Sequence, residues 1–95
     1  MGKVNRKKKK RQFQTTSTGF KFYLDKKRLG NYEFIEAIAE VDDNPLVLPK
    51  VVKLLLGDNQ ADKLKNHVRD EDGIVSTEKM MSEIQEIFAS QKVKN

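Results

Sequence analysis

Cysteine and tryptophan are absent from this chain of 95 residues, and histidine occurs once, at position 67. The lack of cysteine excludes a disulfide framework, a thiolate metal site and a cysteine nucleophile. Apolar runs reach only three residues, as at 54–56, so the sequence offers no membrane-spanning segment. The positively charged N-terminus is followed by the polar stretch 12–18, which does not fit a secretory signal.

The residue patterns that support catalysis or phosphate binding are also missing. The five glycines are scattered and form neither G-x-x-x-x-G-K-[ST] nor G-x-G-x-x-G. His67 has no second histidine and no cysteine with which to bind a metal ion. Serine and threonine cluster at 15–18, but no base and orienting acid accompany them in the sequence. We therefore expect no catalytic, cofactor-binding or metal-binding residues, and a protein that is not an enzyme.

The length allows one small domain, and its positive charge is concentrated near the N-terminus. Residues 1–28 hold eleven lysines and arginines and one acid, whereas residues 29–95 hold eight basic and thirteen acidic residues. The first part thus carries +10 and the second −5. Residues 1–10 show no apolar periodicity, and like charges repel along 6–11, so we predict a disordered basic arm over 1–10.

From residue 11 the pattern is that of a single small domain reaching residue 90. Phe20, Phe22 and Leu24 occupy alternate positions after a turn at 17–19, which indicates a half-buried strand. The predicted elements are a hairpin over 11–25 and helices over about 31–41, 45–56, 58–69 and 77–90. Residues 91–95 are expected to fray. The predicted fold class is α+β, mainly α-helical, with about four helices and a short N-terminal β-hairpin.

Two of these helices carry more apolar residues than one buried face requires. Within 45–56 the only polar residues are Lys50 and Lys53, so this helix either lies centrally or presents a second face to a partner. Met80 and Met81 are adjacent, and methionine suits adaptable contacts. Ordinary core packing explains the same residues equally well. The candidate partner-binding residues are Leu46, Val47, Leu54, Leu56, Met80, Met81 and Phe88.

The basic arm offers an alternative site. The candidate nucleic-acid-binding residues are Lys7, Lys8, Lys9, Lys10 and Arg11. Such a run neutralises phosphates with a steep dependence on salt, and the aromatic residues after it are able to stack on exposed bases. The favoured alternative is that the run is a solvated tail, with Phe20 and Phe22 as the core face of the hairpin, because five charges alone give only weak, non-specific attraction. We expect no membrane role, because the charges come without an apolar wedge or a myristoylation signal.

Over about residues 19–90 the order of elements resembles a known family. The pattern consists of Gly-Phe-Lys-Phe-Tyr-Leu-Asp at 19–25, an acidic helix at 31–40, Asn-Pro-Leu-Val-Leu-Pro-Lys-Val-Val-Lys-Leu-Leu-Leu-Gly at 44–57, Leu-Lys-Asn-His-Val-Arg-Asp-Glu-Asp-Gly at 64–73 and the helix 80–88. It is similar to the tail assembly chaperones of long, non-contractile-tailed bacteriophages of Gram-positive hosts and their prophages. Its most specific pieces are the two-proline block and the turn at 69–73. The basic arm departs from the family pattern.

This resemblance implies a non-enzymatic protein of the host bacterial cytoplasm that is absent from the mature virion. Such chaperones bind the long, helical tape-measure protein and keep it soluble while tail-tube subunits polymerise around it. Many self-associate, and many are made in two lengths by programmed ribosomal frameshifting, of which this chain would be the shorter. The alternatives are a small nucleic-acid-binding accessory protein that uses the lysine-rich arm, and a small structural subunit of the particle.

Overall fold

A computed structural model describes residues 12–92, which form one antiparallel hairpin and four α-helices. The strands are β1, Gln14–Thr15, and β2, Lys21–Phe22; the helices are α1, Lys26–Leu29, α2, Tyr32–Val41, α3, Leu48–Val68, and α4, Thr77–Lys92. A 3₁₀ turn, Pro45–Val47, leads into α3. The predicted α+β, mainly helical fold class is confirmed. The predicted basic arm at 1–10, the candidate residues at 7–11 and residues 93–95 lie outside the described residues.

The hairpin and α1 differ from what the sequence predicts. The ladder joins only Gln14 to Phe22 and Thr15 to Lys21, so it is much shorter than the predicted 11–25. The segment 26–29, where the sequence suggests only a break between elements, forms the single turn of α1. Its N-cap is Asp25, whose carboxylate accepts the Lys27 amide at 2.9 Å. Four residues are too few to show an apolar period, which is why the pattern does not reveal this helix.

Gly57 divides α3 into two segments, 48–56 and 58–68. Its φ of 83° and ψ of 162° place it in a region that is essentially restricted to glycine. The helices predicted over 45–56 and 58–69 meet at this residue. Arg28 of α1 lies across the break, and its Nη1 donates to the Leu54 carbonyl at 3.4 Å. The arginine thereby binds one of the carbonyls that a helix end leaves without an intrahelical partner.

The hydrophobic core lies where the hairpin, α2, α3 and α4 meet. Its largest fully buried side chains are Phe22, Phe34, Val51, Leu55, Leu64, Ile84 and Ile87. Phe13 and Ile35 are not part of this core, since their side chains are 53% and 43% exposed. Phe13 precedes the short ladder and instead packs edge-on against Tyr23, with ring centroids 5.3 Å apart. Ile35 lies about 100° around α2 from the buried Phe34.

Candidate functional site

A chain of hydrogen bonds fastens the tip of the hairpin to two helices. The Thr18 hydroxyl donates its only proton to Glu83 Oε2 on α4 at 2.6 Å. It therefore accepts from its other two polar neighbours: His67 Nε2 on α3 donates across 3.0 Å, and the Thr16 hydroxyl donates across 3.2 Å. The Phe20 amide donates to Thr16 Oγ1 at 3.1 Å, so the chain of bonds ends on the backbone of the hairpin itself.

A second carboxylate of α4 binds the neighbouring residue of the tip. Glu86 accepts the Ser17 amide at 2.7 Å with Oε2 and the Ser17 hydroxyl at 2.9 Å with Oε1. Glu83, three residues earlier on the same helical face, is only 4% exposed, and its Oε1 has no hydrogen-bond partner among the described residues. Burying a carboxylate is unfavourable unless it is hydrogen-bonded, so Glu83 depends strongly on the bond from Thr18.

This cluster overturns one expectation from the sequence, that no base and acid accompany the hydroxyl residues at 15–18. His67 and Glu83 both reach Thr18. In a hydroxyl–histidine–acid triad, however, the histidine lies between the other two groups and takes the hydroxyl proton. Here the hydroxyl lies in the middle, gives its proton to the acid and receives one from the histidine. This order suits a structural clamp that holds the hairpin against α3 and α4.

Gln60 connects the hairpin to the second segment of α3. Its side chain, on a residue only 6% exposed, accepts the Tyr23 amide at 2.9 Å and donates to the Tyr23 carbonyl at 2.9 Å. It also donates to the Leu56 carbonyl at 3.0 Å. The amide group pairs with Tyr23 much as a neighbouring strand would. Gln14 pairs with Phe22, and the Thr16 amide donates to the Phe20 carbonyl at 2.9 Å, so the backbone groups of the alternate residue 23 point away from β1. Gln60 therefore binds the edge of β2 that faces away from β1.

An apolar groove of about 420 Å³ lies between the 3₁₀ turn, both segments of α3 and the start of α4. The buried part of its lining consists of Leu48, Val52, Ala61 and Met80. The rest of its lining consists of the exposed Pro45, Leu46, Pro49, Lys53, Lys65 and Thr77 and the half-buried Val75. Leu46 is 86% exposed, the largest fraction of any large apolar side chain in residues 12–92. The volume is within the roughly 300–1,000 Å³ of ordinary ligand-binding clefts.

The break at Gly57 allows both segments of α3 to line this groove. Val52 and Ala61 are nine residues apart, so in an unbroken α-helix they would point about 180° away from each other. Both nevertheless line the groove. At its other wall, the Asn44 side chain accepts the Leu46 amide at 3.2 Å and starts the 3₁₀ turn, which fixes Leu46 at the mouth of the groove.

The structure brings together only two of the seven candidate partner-binding residues, since Leu46 and Met80 line the groove. Val47, Leu54, Met81 and Phe88 are half-buried against the core, and the Phe88 ring packs on Phe34 at 5.8 Å. Leu56 is 4% exposed. The idea that Leu56 adds surface for a partner is therefore wrong: it lies in the last turn before the Gly57 break and packs in the core.

Several groove residues were not predicted as such. Leu48 and Val52 have the spacing of a buried helical stripe and are buried, but they also line the groove. Ala61 and Val75 reach it from separate elements. The usable signal in the sequence is the pair Pro45 and Pro49 around Leu46, which marks a helix start where an apolar side chain is left outside the regular helix.

Comparisons with known protein families, with curated proteins and with solved structures give no match for this chain. The resemblance to tail assembly chaperones therefore stays a prediction. Within residues 12–92, no helix is both long enough and apolar enough to cross a bilayer. In the same part of the chain, no three histidine or acidic side chains are grouped so as to hold a metal ion. The fold and site are those of a small helical domain with an open apolar groove.

Proposed function

We propose that this chain is a non-enzymatic assembly chaperone that holds an amphipathic helical segment of its partner in the groove. The observation that carries the proposal is an open groove with an apolar lining and the almost fully exposed Leu46 at its mouth. Burial of one leucine side chain contributes about 1.5–3 kcal/mol. A partner that covers Leu46 would therefore gain about this much free energy of binding. Helix-in-groove recognition uses such apolar anchors.

The resemblance to tail assembly chaperones suggests which partner this is. The tape-measure protein is long and helical, and an apolar stripe on one of its helices would suit the groove. In this proposal the chain acts in the host bacterial cytoplasm, is left out of the mature virion, and meets tail-tube subunits as further partners. Mass spectrometry of purified particles separates it from a structural subunit: peptides of this chain at stoichiometric amounts in the particles would contradict a chaperone.

Co-expression with a fragment of the tape-measure protein tests the proposal, with the soluble fraction of the fragment as readout. Leu46→Ser should weaken binding roughly tenfold or more, because about 1.5–3 kcal/mol of apolar contact is lost. Ile35→Ser is the matched control, since Ile35 is also exposed but lies on α2, outside the groove lining. Equal solubilisation by the wild type and by both variants would show that the groove is not the binding surface.

A further inference from the structure

We propose that the groove selects amphipathic helices whose apolar stripe is bordered by acidic residues. This inference rests on the proposed function, because it specifies the chemistry of the segment that the groove holds. The observation behind it is the sign of the charge at the rim. The charged residues that line the groove are Lys53 and Lys65, and no acidic residue of the described chain lines it.

The composition of the domain does not account for this positive rim. Residues 12–92 contain eleven lysines and arginines against fourteen acids, a net charge of −3. Two charged residues taken at random from such a domain would, on average, carry a net negative charge.

Lys65 is already in an ion pair, but this pair is weak. Its Nζ lies 3.4 Å from Asp62 Oδ1, and the two side chains are 47% and 70% exposed. Water and salt screen a pair of this kind, so it contributes little to stability. A carboxylate of an incoming helix can therefore bind the Lys65 ammonium group together with Asp62 or in its place. For Lys53, no ion pair is seen within residues 12–92.

The shape of the lysine side chain suits this position. Its aliphatic stem is able to cover the flank of a docked apolar stripe while the ammonium group stays in water. Glutamate or aspartate beside the stripe would then meet Lys53 and Lys65 at the rim, whereas lysine there would be repelled. By the same argument, a peptide with five consecutive positive charges, as in the sequence of residues 7–11, would be a poor ligand for this rim.

Three labelled peptides test the inference on the full chain by fluorescence anisotropy. Each has about 18 residues, or five helical turns, with one leucine stripe and flanking positions filled by glutamate, glutamine or lysine. We expect the glutamate peptide to bind roughly tenfold more tightly than the lysine peptide at low salt. This difference should shrink as salt is added, because the charges at the rim are exposed.

Acidic peptides will also be attracted by residues 7–11, so the variants must separate the two sites. Lys53→Glu/Lys65→Glu should abolish or reverse the preference for the glutamate peptide, and the neutral pair Lys53→Gln/Lys65→Gln should reduce it. Lys63→Glu is the matched control, because Lys63 is exposed on the same segment of α3 but does not line the groove. Circular dichroism melts confirm that each variant is folded.

The possible outcomes separate the inference from the proposed function. Equal affinity for all three peptides, each weakened by Leu46→Ser, would overturn the charge selection and leave the groove as a helix site. A glutamate preference that persists in both lysine double variants would also overturn it, by assigning the preference to other cations. Failure of every peptide to bind would contradict the proposed function and this inference together.

Discussion

Gln60 is the side chain on which the attachment of β2 most clearly depends. Gln60→Glu keeps its shape but replaces the Nε2 donor by an acceptor, so the bonds to the carbonyls of Tyr23 and Leu56 are lost and a charge is buried. Leaving such groups unpaired costs about 1–3 kcal/mol, and we expect the free energy of unfolding to fall by that amount in urea titrations. Asn59→Asp makes the same chemical change at the exposed neighbouring residue and should alter stability by less than about 0.5 kcal/mol.

Single residues were predictable from the sequence where local pattern determines them. The alternation of Phe20 and Phe22 correctly identifies the core face of the hairpin, and both are buried. The clamp of Thr18, His67 and Glu83 was not predictable, because its hydrogen bonds join residues 49 and 65 positions apart. Such contacts are set by how the helices pack, and no spacing within one element carries that information.

At the scale of elements, the break in α3 is what shapes the groove. Gly57→Ala places a side chain at φ +83°, with its Cβ about 3.0 Å from Arg28 Nη2. Backbone strain of this kind costs about 1–3 kcal/mol, so we expect lower stability and, because the two segments must reorient, weaker binding of the groove ligand. Chemical denaturation and peptide anisotropy measure the two effects.

Gly30→Ala is the control for this change. Gly30 has φ −91°, which alanine adopts readily, and its Cβ would meet only backbone oxygens at 3.7 Å or more. Alanine there should be neutral or stabilise the protein by about 0.4–1 kcal/mol, because it restricts the unfolded chain. If both variants behave alike, the conformation of Gly57 is not what maintains the bend.

Helix boundaries were largely predictable because the capping residues act locally. Asn31, Asn44 and Ser76 each accept a backbone amide at the start of a helical segment, and asparagine and serine are preferred at such positions. The direction in which a helix continues after Gly57 was not predictable. The segment after Gly57 contributes Ala61 and Lys65 to the groove lining, so the sequence predicts the right block, 45–56, but only part of the groove.

Across the whole molecule, the charge divides at a different place from where the sequence suggests. Four of the positive charges within residues 1–28 belong to the folded domain, namely Lys21, Lys26, Lys27 and Arg28. Arg28 binds the Leu54 carbonyl there. Residues 1–11 carry +7 and residues 12–92 carry −3. Residues 12–92 are thus acidic overall, with two lysines at the groove rim, and the surplus of positive charge is in the sequence of residues 1–11.

This division allows the alternative function to be tested by removing residues 1–11. Seven phosphate contacts would give a slope of up to about −6 for log K against log salt with duplex DNA, and we expect the truncated chain to lose this binding entirely. Its thermal midpoint should not change, because residues 12–92 form the described core. Its affinity for the glutamine-flanked groove peptide should not change either, because that peptide carries no acidic side chains to bind residues 7–11. DNA and RNA titrations at several salt concentrations provide the measurement.

The result decides between the arm and the groove as the basis of function. A solvated tail would give the full chain only weak, sequence-independent binding to nucleic acid. This binding would vanish near 0.15 M salt, where exposed charges are screened over about 8 Å. Tight binding of nucleic acid at that salt would favour a nucleic-acid-binding protein if the truncation abolishes it. The same conclusion would require that the truncated chain also fails to solubilise the tape-measure fragment. Retention of solubilisation by the truncated chain, and its loss in Leu46→Ser, would place the function in the groove, where apolar contact and not the large positive charge of the chain provides the affinity.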